Sequence, residues 1–198
     1  MNQRSLALLG TSADPPTSGH QALLTGLAQH YGQVATWASN NPFKQHGAPL
    51  QLRAELLGTL VRSLEDRRIQ HAQSLSDPHA LETVKRAAAR WPDHNLVFVV
   101  GGDLAAQIPG WYRAEELLQR CTLAVVPRQG FALESAALDR LRDLGGRPEL
   151  VPLAVPATAS SAIRRQPSPE QMPSALWEEL VRHNLYGLGQ QQPSHTPQ

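Results

Sequence analysis

Three features of the sequence predict an α/β fold built on a mostly parallel sheet. Short apolar runs alternate with amphipathic stretches of about ten or more residues. Most of the apolar runs close on glycine, proline or asparagine. One of them, Leu96–Val100 (LVFVV), is apolar at every position. Such runs fit strands buried on both faces, as in a parallel sheet covered by helices. The alternation itself implies right-handed βαβ units.

The first strand is expected at Leu6–Gly10 (LALLG), followed by a Pro/Ser/Thr loop and a helix from Gly19 bearing Leu23, Leu24 and Leu27 on one face. Val34–Ala38 is the second strand, ended by Asn40-Asn41-Pro42. Leu52, Leu56, Leu57 and Leu60 then mark a helix over Leu50–Leu64. Ile69–Ala72 is a weak third strand, and Ala80–Ala89 a helix stopped before Trp91-Pro92. After Leu96–Val100 come a helix at Ala114–Arg120, a strand at Leu123–Val126 and a helix at Ser135–Leu144. A last strand is expected at Leu150–Leu153 and a terminal helix at Ala175–His183. Residues 1–188 read as one domain and 189–198, rich in Gln, Pro and Ser, as a frayed tail.

Composition narrows the function. Eighteen Lys+Arg against seventeen Asp+Glu give a formal charge of +1, which disfavours broad binding to nucleic acid. No run approaches the ~18 apolar residues of a membrane span. Cys121 is the only cysteine, which excludes a disulfide framework and a multi-thiolate metal site. The sequence therefore predicts a cytoplasmic protein with no membrane or nucleic-acid partner and no protein-held metal. A homo-oligomer is compatible with the sequence, although no motif encodes one.

In a parallel sheet the ligand sits beyond the carboxyl ends of the strands, so chemistry is sought in the loops that follow them. The first, Gly10–His20, combines hydroxyls, glycines and a helix start, which together suit a phosphate. The same composition also describes an ordinary capped helix. Its register adds more. Gly10, Asp14, Pro15, Gly19 and His20 match the loop Gly-x-x-Phe-Asp-Pro-x-His-x-Gly-His, with Ala13 in place of Phe and Thr17 in place of the first His.

Four later loops follow in order. Pro42-Phe43-Lys44 is similar to a Pro-Pro-His-Lys segment. Ala80-Leu81-Glu82-Thr83-Val84 lines up with Thr-Ile-Asp-Thr-Leu. Gly101-Gly102-Asp103, then Trp111-Tyr112-Arg113, fit Gly-Ala-Asp followed by Trp-x-Arg. Pro127-Arg128-Gln129-Gly130 fits an Arg-Pro-Gly turn, and Ala159-Ser160-Ser161-Ala162-Ile163-Arg164 a Ser-Ser-Thr-x-Ile-Arg signature, with Ala159 opposite the first Ser and Ser161 opposite the Thr. Taken together, these motifs resemble the bacterial nicotinate mononucleotide adenylyltransferases of the nucleotidyltransferase superfamily, over about residues 6–186.

The resemblance implies a Rossmann-like doubly wound parallel sheet of nucleotidyltransferase type. It implies adenylyl transfer from ATP to nicotinate mononucleotide, giving deamido-NAD and pyrophosphate, with Mg²⁺ carried mainly on the ATP phosphates. Gly10, Thr11, Ser12, Thr17, Gly19, His20, Gly101, Asp103, Ser160, Ser161 and Arg164 would then bind ATP, with His20 and Arg164 catalytic. Lys44, Thr83, Trp111, Tyr112 and Arg128 would bind the mononucleotide, Trp111 through its ring. Two alternatives stand beside this. One is the same chemistry on nicotinamide mononucleotide or phosphopantetheine. The other is a catalytically impaired nucleotide-binding homologue, suggested by Thr17 and Phe43 where the family has histidines.

Overall fold

The computed structural model describes residues 4–40, 45–127, 134–153, 155–156 and 160–190. Among these residues six strands form one sheet: β1 (Ser5–Thr11), β2 (Gln33–Ala38), β3 (Ile69–His71), β4 (Asn95–Gly101), β5 (Thr122–Val126) and β6 (Pro148–Leu150). Their order is β3-β2-β1-β4-β5-β6, and every pairing is parallel. The chain runs outward from β1 to β3 and then crosses back to β4 on the other side. The topological switch point therefore lies between β1 and β4, where this kind of sheet opens a crevice at its carboxyl edge.

Alternate residues of each strand serve opposite faces. Ala7 and Leu9 of β1 join a core beneath α1 (Ser18–His30), α2 (Leu50–Ser63) and, late in the chain, α8 (Ser174–Arg182). Leu6 and Leu8 join a second core beneath α3 (Ala80–Arg90), α5 (Ala114–Arg120) and α6 (Ser135–Asp143). The two-residue period of the pleat thus sorts one apolar strand into two helical layers. Two further helices among the described residues are short, α4 (Gly102–Ala105) directly after β4 and α7 (Ser160–Arg165).

One strand lies elsewhere than expected. The sequence places the last strand at Leu150–Leu153, but β6 is Pro148–Leu150, paired with Leu123–Val125 of β5. As an edge strand it is paired on one side only, so apolarity does not mark it: Leu150 is 53% exposed. The apolar run that suggested the later position contains Pro152, which has no N–H to donate to a ladder. Only the Val151 amide continues the pairing, to the carbonyl of Val125. The stretch between α2 and α3, which the sequence left poorly marked, holds β3 and a 3₁₀ turn at Gln73–Leu75. Gln73 closes the end of β2, its side chain accepting from the Ala38 N–H and donating to the Ala38 carbonyl, both at 2.9 Å. The chain is still in a 3₁₀ turn at Leu185–Gln190. The expected tail thus begins inside an element, and its residues 191–198 lie outside the described residues.

Candidate active site

β1 delivers its loop directly into α1, and the start of that helix is organised around His20. Thr17 is the N-cap. His20 Nδ1 accepts the Thr17 N–H at 3.1 Å, and the Thr17 hydroxyl lies 2.9 Å from the same nitrogen. A ring nitrogen that accepts an amide proton carries none itself, so the proton sits on Nε2, which points at Thr11 Oγ1, 2.9 Å away. Burial lowers the imidazole to about 4, which keeps it neutral near pH 7. Thr17 is fully buried. Its side chain is therefore spent on orienting His20, and the phosphate contact expected for it is replaced by that role.

Asp14, one turn earlier, is also buried, 1% exposed, and gathers donors from three parts of the chain. Its carboxylate accepts the N–H groups of Gly47 (2.6 Å) and Ala48 (3.1 Å) and the Tyr186 hydroxyl (2.7 Å). Arg164 Nη1 lies 3.4 Å from the same carboxylate and donates to the Asp14 carbonyl oxygen at 2.7 Å. Ser160 Oγ, at the start of α7, donates to the Pro15 carbonyl at 2.9 Å. One residue past Ser160, Ser161 is exposed.

α7 thus docks on the first loop through Ser160 and Arg164, although 145 or more residues separate the partners. Gly10, Thr11, Ser12, Gly19, His20, Ser160, Ser161 and Arg164, all expected at ATP, come together at the carboxyl edge of the sheet. Ser160 does so as a tie between segments, since its proton is already donated.

A buried arginine fastens the loops after β1 and β2. Arg53, on the apolar side of α2, donates to the carbonyl oxygens of Ala48 (3.0 Å), Ser12 (2.6 Å) and Ser39 (2.8 Å), and to Asn40 Oδ1 (3.3 Å). Gly10 faces Trp37: a Cβ there would stand 2.9 Å from the indole ring. The lack of a side chain at Gly10 is thus required by β2 itself.

Across the switch point, Gly101 ends β4 and Asp103 lies in α4. The Asp103 carboxylate folds back so far that a Cβ on Gly101 would meet its Oδ1 at 2.6 Å. Trp111 and Phe98 of β4 meet in a T-shaped contact, with centroids 6.3 Å apart and planes at 85°, and Trp111 remains partly exposed. Tyr112, 51% exposed, stacks on His79 with centroids 4.5 Å apart.

Thr83 departs from expectation. It is 1% exposed and its hydroxyl donates to the Leu75 carbonyl at 3.0 Å. It pins the 3₁₀ turn to α3 and offers no hydroxyl to a substrate. Lys44 and Arg128, both expected at the mononucleotide phosphate, lie outside the described residues. Two grooves of about 620 and 590 Å³ open elsewhere. One runs along α2 and α8, the other below the amino ends of β1, β4 and β5.

Sequence reasoning missed Asp14, Gly47, Arg53 and Tyr186 as organisers. Signals existed for two of them: Asp14 is in register with the first-loop motif. Arg53 interrupts the apolar face shared with Leu57 and Leu60, four and seven residues on.

A helix start, a neutral imidazole and a guanidinium brought to one loop at the carboxyl edge of the sheet suit a polyphosphate. The family described as Cytidylyltransferase-like matches residues 8–168. A probable nicotinate-nucleotide adenylyltransferase of Synechocystis sp. is 39% identical, the alignment covering 91% of this chain and 98% of the relative. The chain belongs to this family. A second probable nicotinate-nucleotide adenylyltransferase, from Anaeromyxobacter sp., is 28% identical over 91% of this chain and 93% of its own. Among solved structures, the Plasmodium falciparum nicotinic acid mononucleotide adenylyltransferase complexed with NaAD superposes with a TM-score of 0.74. It is 15% identical and covers 93% of this chain and 98% of its own. The family resemblance read from the five loops and the nucleotidyltransferase fold expected from it are both borne out. Among the described residues no helix is long and apolar enough to cross a membrane, and no group of three or more His, Cys, Asp or Glu could hold a metal ion.

Proposed function

We propose that this enzyme transfers the adenylyl group of ATP to nicotinate mononucleotide, giving deamido-NAD and pyrophosphate. The observation that carries the reading is the docking of α7 on the first loop. It brings Arg164, α1 and His20 to one place beyond β1. Membership of the family and the 39% identity to a nicotinate-nucleotide adenylyltransferase support the acceptor.

The reaction needs no protein nucleophile. A phosphate oxygen of the mononucleotide attacks the α-phosphorus in line, and the bond to the bridging oxygen of pyrophosphate breaks. The protein has two tasks: to align two polyanions and to stabilise charge as it builds on the leaving group. His20 donates its Nε2–H to an α- or β-phosphate oxygen, exchanging Thr11 for the ligand. The N–H of Gly19, ahead of the helical ladder, adds a second donor. Arg164 keeps Nη1 on Asp14 and turns the rest of its fork to the outer phosphates. Trp111 offers its partly exposed ring to the pyridine, and Lys44 and Arg128 complete the mononucleotide site. The Asp14 carboxylate is already taken by protein donors, so the residues present fit a Mg²⁺ held by the phosphates rather than by the chain. Such an ion would neutralise charge on the departing pyrophosphate. A cytoplasmic location, where these soluble nucleotides meet, belongs to the same reading.

Pyrophosphate release from ATP tests the proposal when nicotinate mononucleotide, nicotinamide mononucleotide and phosphopantetheine are offered separately. The expected result is a clear preference for nicotinate mononucleotide. Preference for another acceptor overturns the substrate assignment. ATP binding without product from any acceptor overturns the enzymatic one.

A further inference from the structure

Arg164 reaches the first loop past Gly47 and Tyr186, which come from distant parts of the chain. A Cβ placed on Gly47 would stand 2.7 Å from Arg164 Cδ and 3.0 Å from a ring carbon of Tyr186. Gly47 is not among the residues with positive φ, so backbone conformation does not explain a glycine here. The side chains standing against it do. Tyr186 itself has φ 55, in the left-handed region that a bulky aromatic residue rarely adopts. Such a conformation persists only where surrounding contacts hold it. Those contacts are present: its ring lies against Gly47 and its hydroxyl donates to Asp14.

Asp14 binds both neighbours of the arginine at once. One carboxylate oxygen takes the Gly47 N–H and the other takes the Tyr186 hydroxyl. The same residue's carbonyl takes Arg164 Nη1. The position of the guanidinium is therefore set by two residues that make no hydrogen bond to it.

We propose that Gly47 and Tyr186 are positioning residues for Arg164, anchored jointly by Asp14, and that they fix how far its guanidinium reaches toward the ATP phosphates. This rests on the reading of Arg164 as a phosphate ligand. A fork displaced by about 1 Å from its productive place can cost on the order of 10²-fold in rate. Gly47→Ala pushes on the middle of the arginine side chain. Tyr186→Phe keeps the ring and releases its tie to Asp14. The two changes disturb one arginine by different routes.

The test is steady-state kinetics of the full chain with ATP and nicotinate mononucleotide varied in turn. Wild type, Arg164→Ala, Gly47→Ala and Tyr186→Phe are compared, with each positioning change also combined with Arg164→Ala. Arg164→Ala should lower kcat/KM for ATP by about 10²-fold or more. Gly47→Ala and Tyr186→Phe should each lower it by about tenfold, with KM for the mononucleotide within about twofold of wild type. In the Arg164→Ala background neither should have any further effect, because the group they position is gone. Losses that multiply undiminished in that background, or that fall on the mononucleotide KM, overturn the inference while leaving the role of Arg164 standing. A silent Arg164→Ala overturns that role and the inference together. Melting temperatures are recorded for all variants. Should Gly47→Ala fail to fold, the Tyr186→Phe cycle decides alone, since it removes one oxygen and no packing.

Discussion

The Thr17 amide and the His20 imidazole form one unit: the N–H of the first donates to Nδ1 of the second across 3.1 Å. The bond fixes the ring tautomer and aims Nε2–H at Thr11 Oγ1. The Thr17 hydroxyl, 2.9 Å from the same nitrogen, adds a side-chain contact to the one remaining histidine of the motif. The site then presents its positive charge through arginine and its directed donor through imidazole.

Replacing His20 with alanine removes that donor. The expected loss is about 10²–10³ in kcat, as for other donors that stabilise developing charge. Turnover measured with saturating ATP checks this, and a rate within about twofold of wild type takes His20 out of the mechanism.

The same buried imidazole links stability to pH. Its ordinary value is 6.5 and the folded protein lowers it to about 4. As pH falls below 6.5, the unfolded chain takes up the proton first, so folding loses stability through this window and the loss is complete near pH 4. Above 6.5 neither state is protonated and the effect vanishes. Fully developed, it is about 3 kcal/mol. Urea unfolding of wild type and His20→Gln at pH 7 and pH 4.5 should show a smaller acid loss in the variant; equal losses would contradict the assignment.

Arg53 joins carbonyl groups of three separate turns. Arg53→Met leaves one buried and two part-buried carbonyls without this donor, at a cost of about 3 kcal/mol. For a domain of this size that corresponds to a fall in Tm of about 6–12 °C, measurable by calorimetry. A shift under about 2 °C would mean that water satisfies these groups.

Trp111 meets Phe98 in a T-shaped contact and remains partly exposed. Trp111→Ala should raise KM for the mononucleotide about tenfold, the worth of one aromatic stack. KM for ATP should stay within about twofold. Equal changes in both would reduce Trp111 to a packing residue.

Much of the fold was legible because buried parallel strands are locally apolar. Leu96–Val100 and Leu6–Gly10 mark β4 and β1, and the helices between them follow from leucine spacing. β6 was misplaced because an edge strand such as Pro148–Leu150 needs no apolar signature. Where motif register survives, as at Gly10, Gly19, His20 and Arg164, the marked residues meet at the carboxyl edge of the sheet. The arrangement was illegible where it is shared between distant segments. Asp14 and Tyr186 lie 172 positions apart, and no local pattern foretells that a phenol near the end of the chain supports the first loop. Thr83 was misread for a related reason: a hydroxyl at a matching position can turn inward, here to Leu75.

In the proposed mechanism the first loop, α1 and α7 together form a triphosphate site. Its most direct measurement is a crystal structure with a non-hydrolysable ATP analogue. The account predicts phosphate oxygens within hydrogen-bonding distance of His20 Nε2 and the Arg164 guanidinium, with Arg164 Nη1 still on the Asp14 carbonyl. A triphosphate bound away from both residues would contradict it.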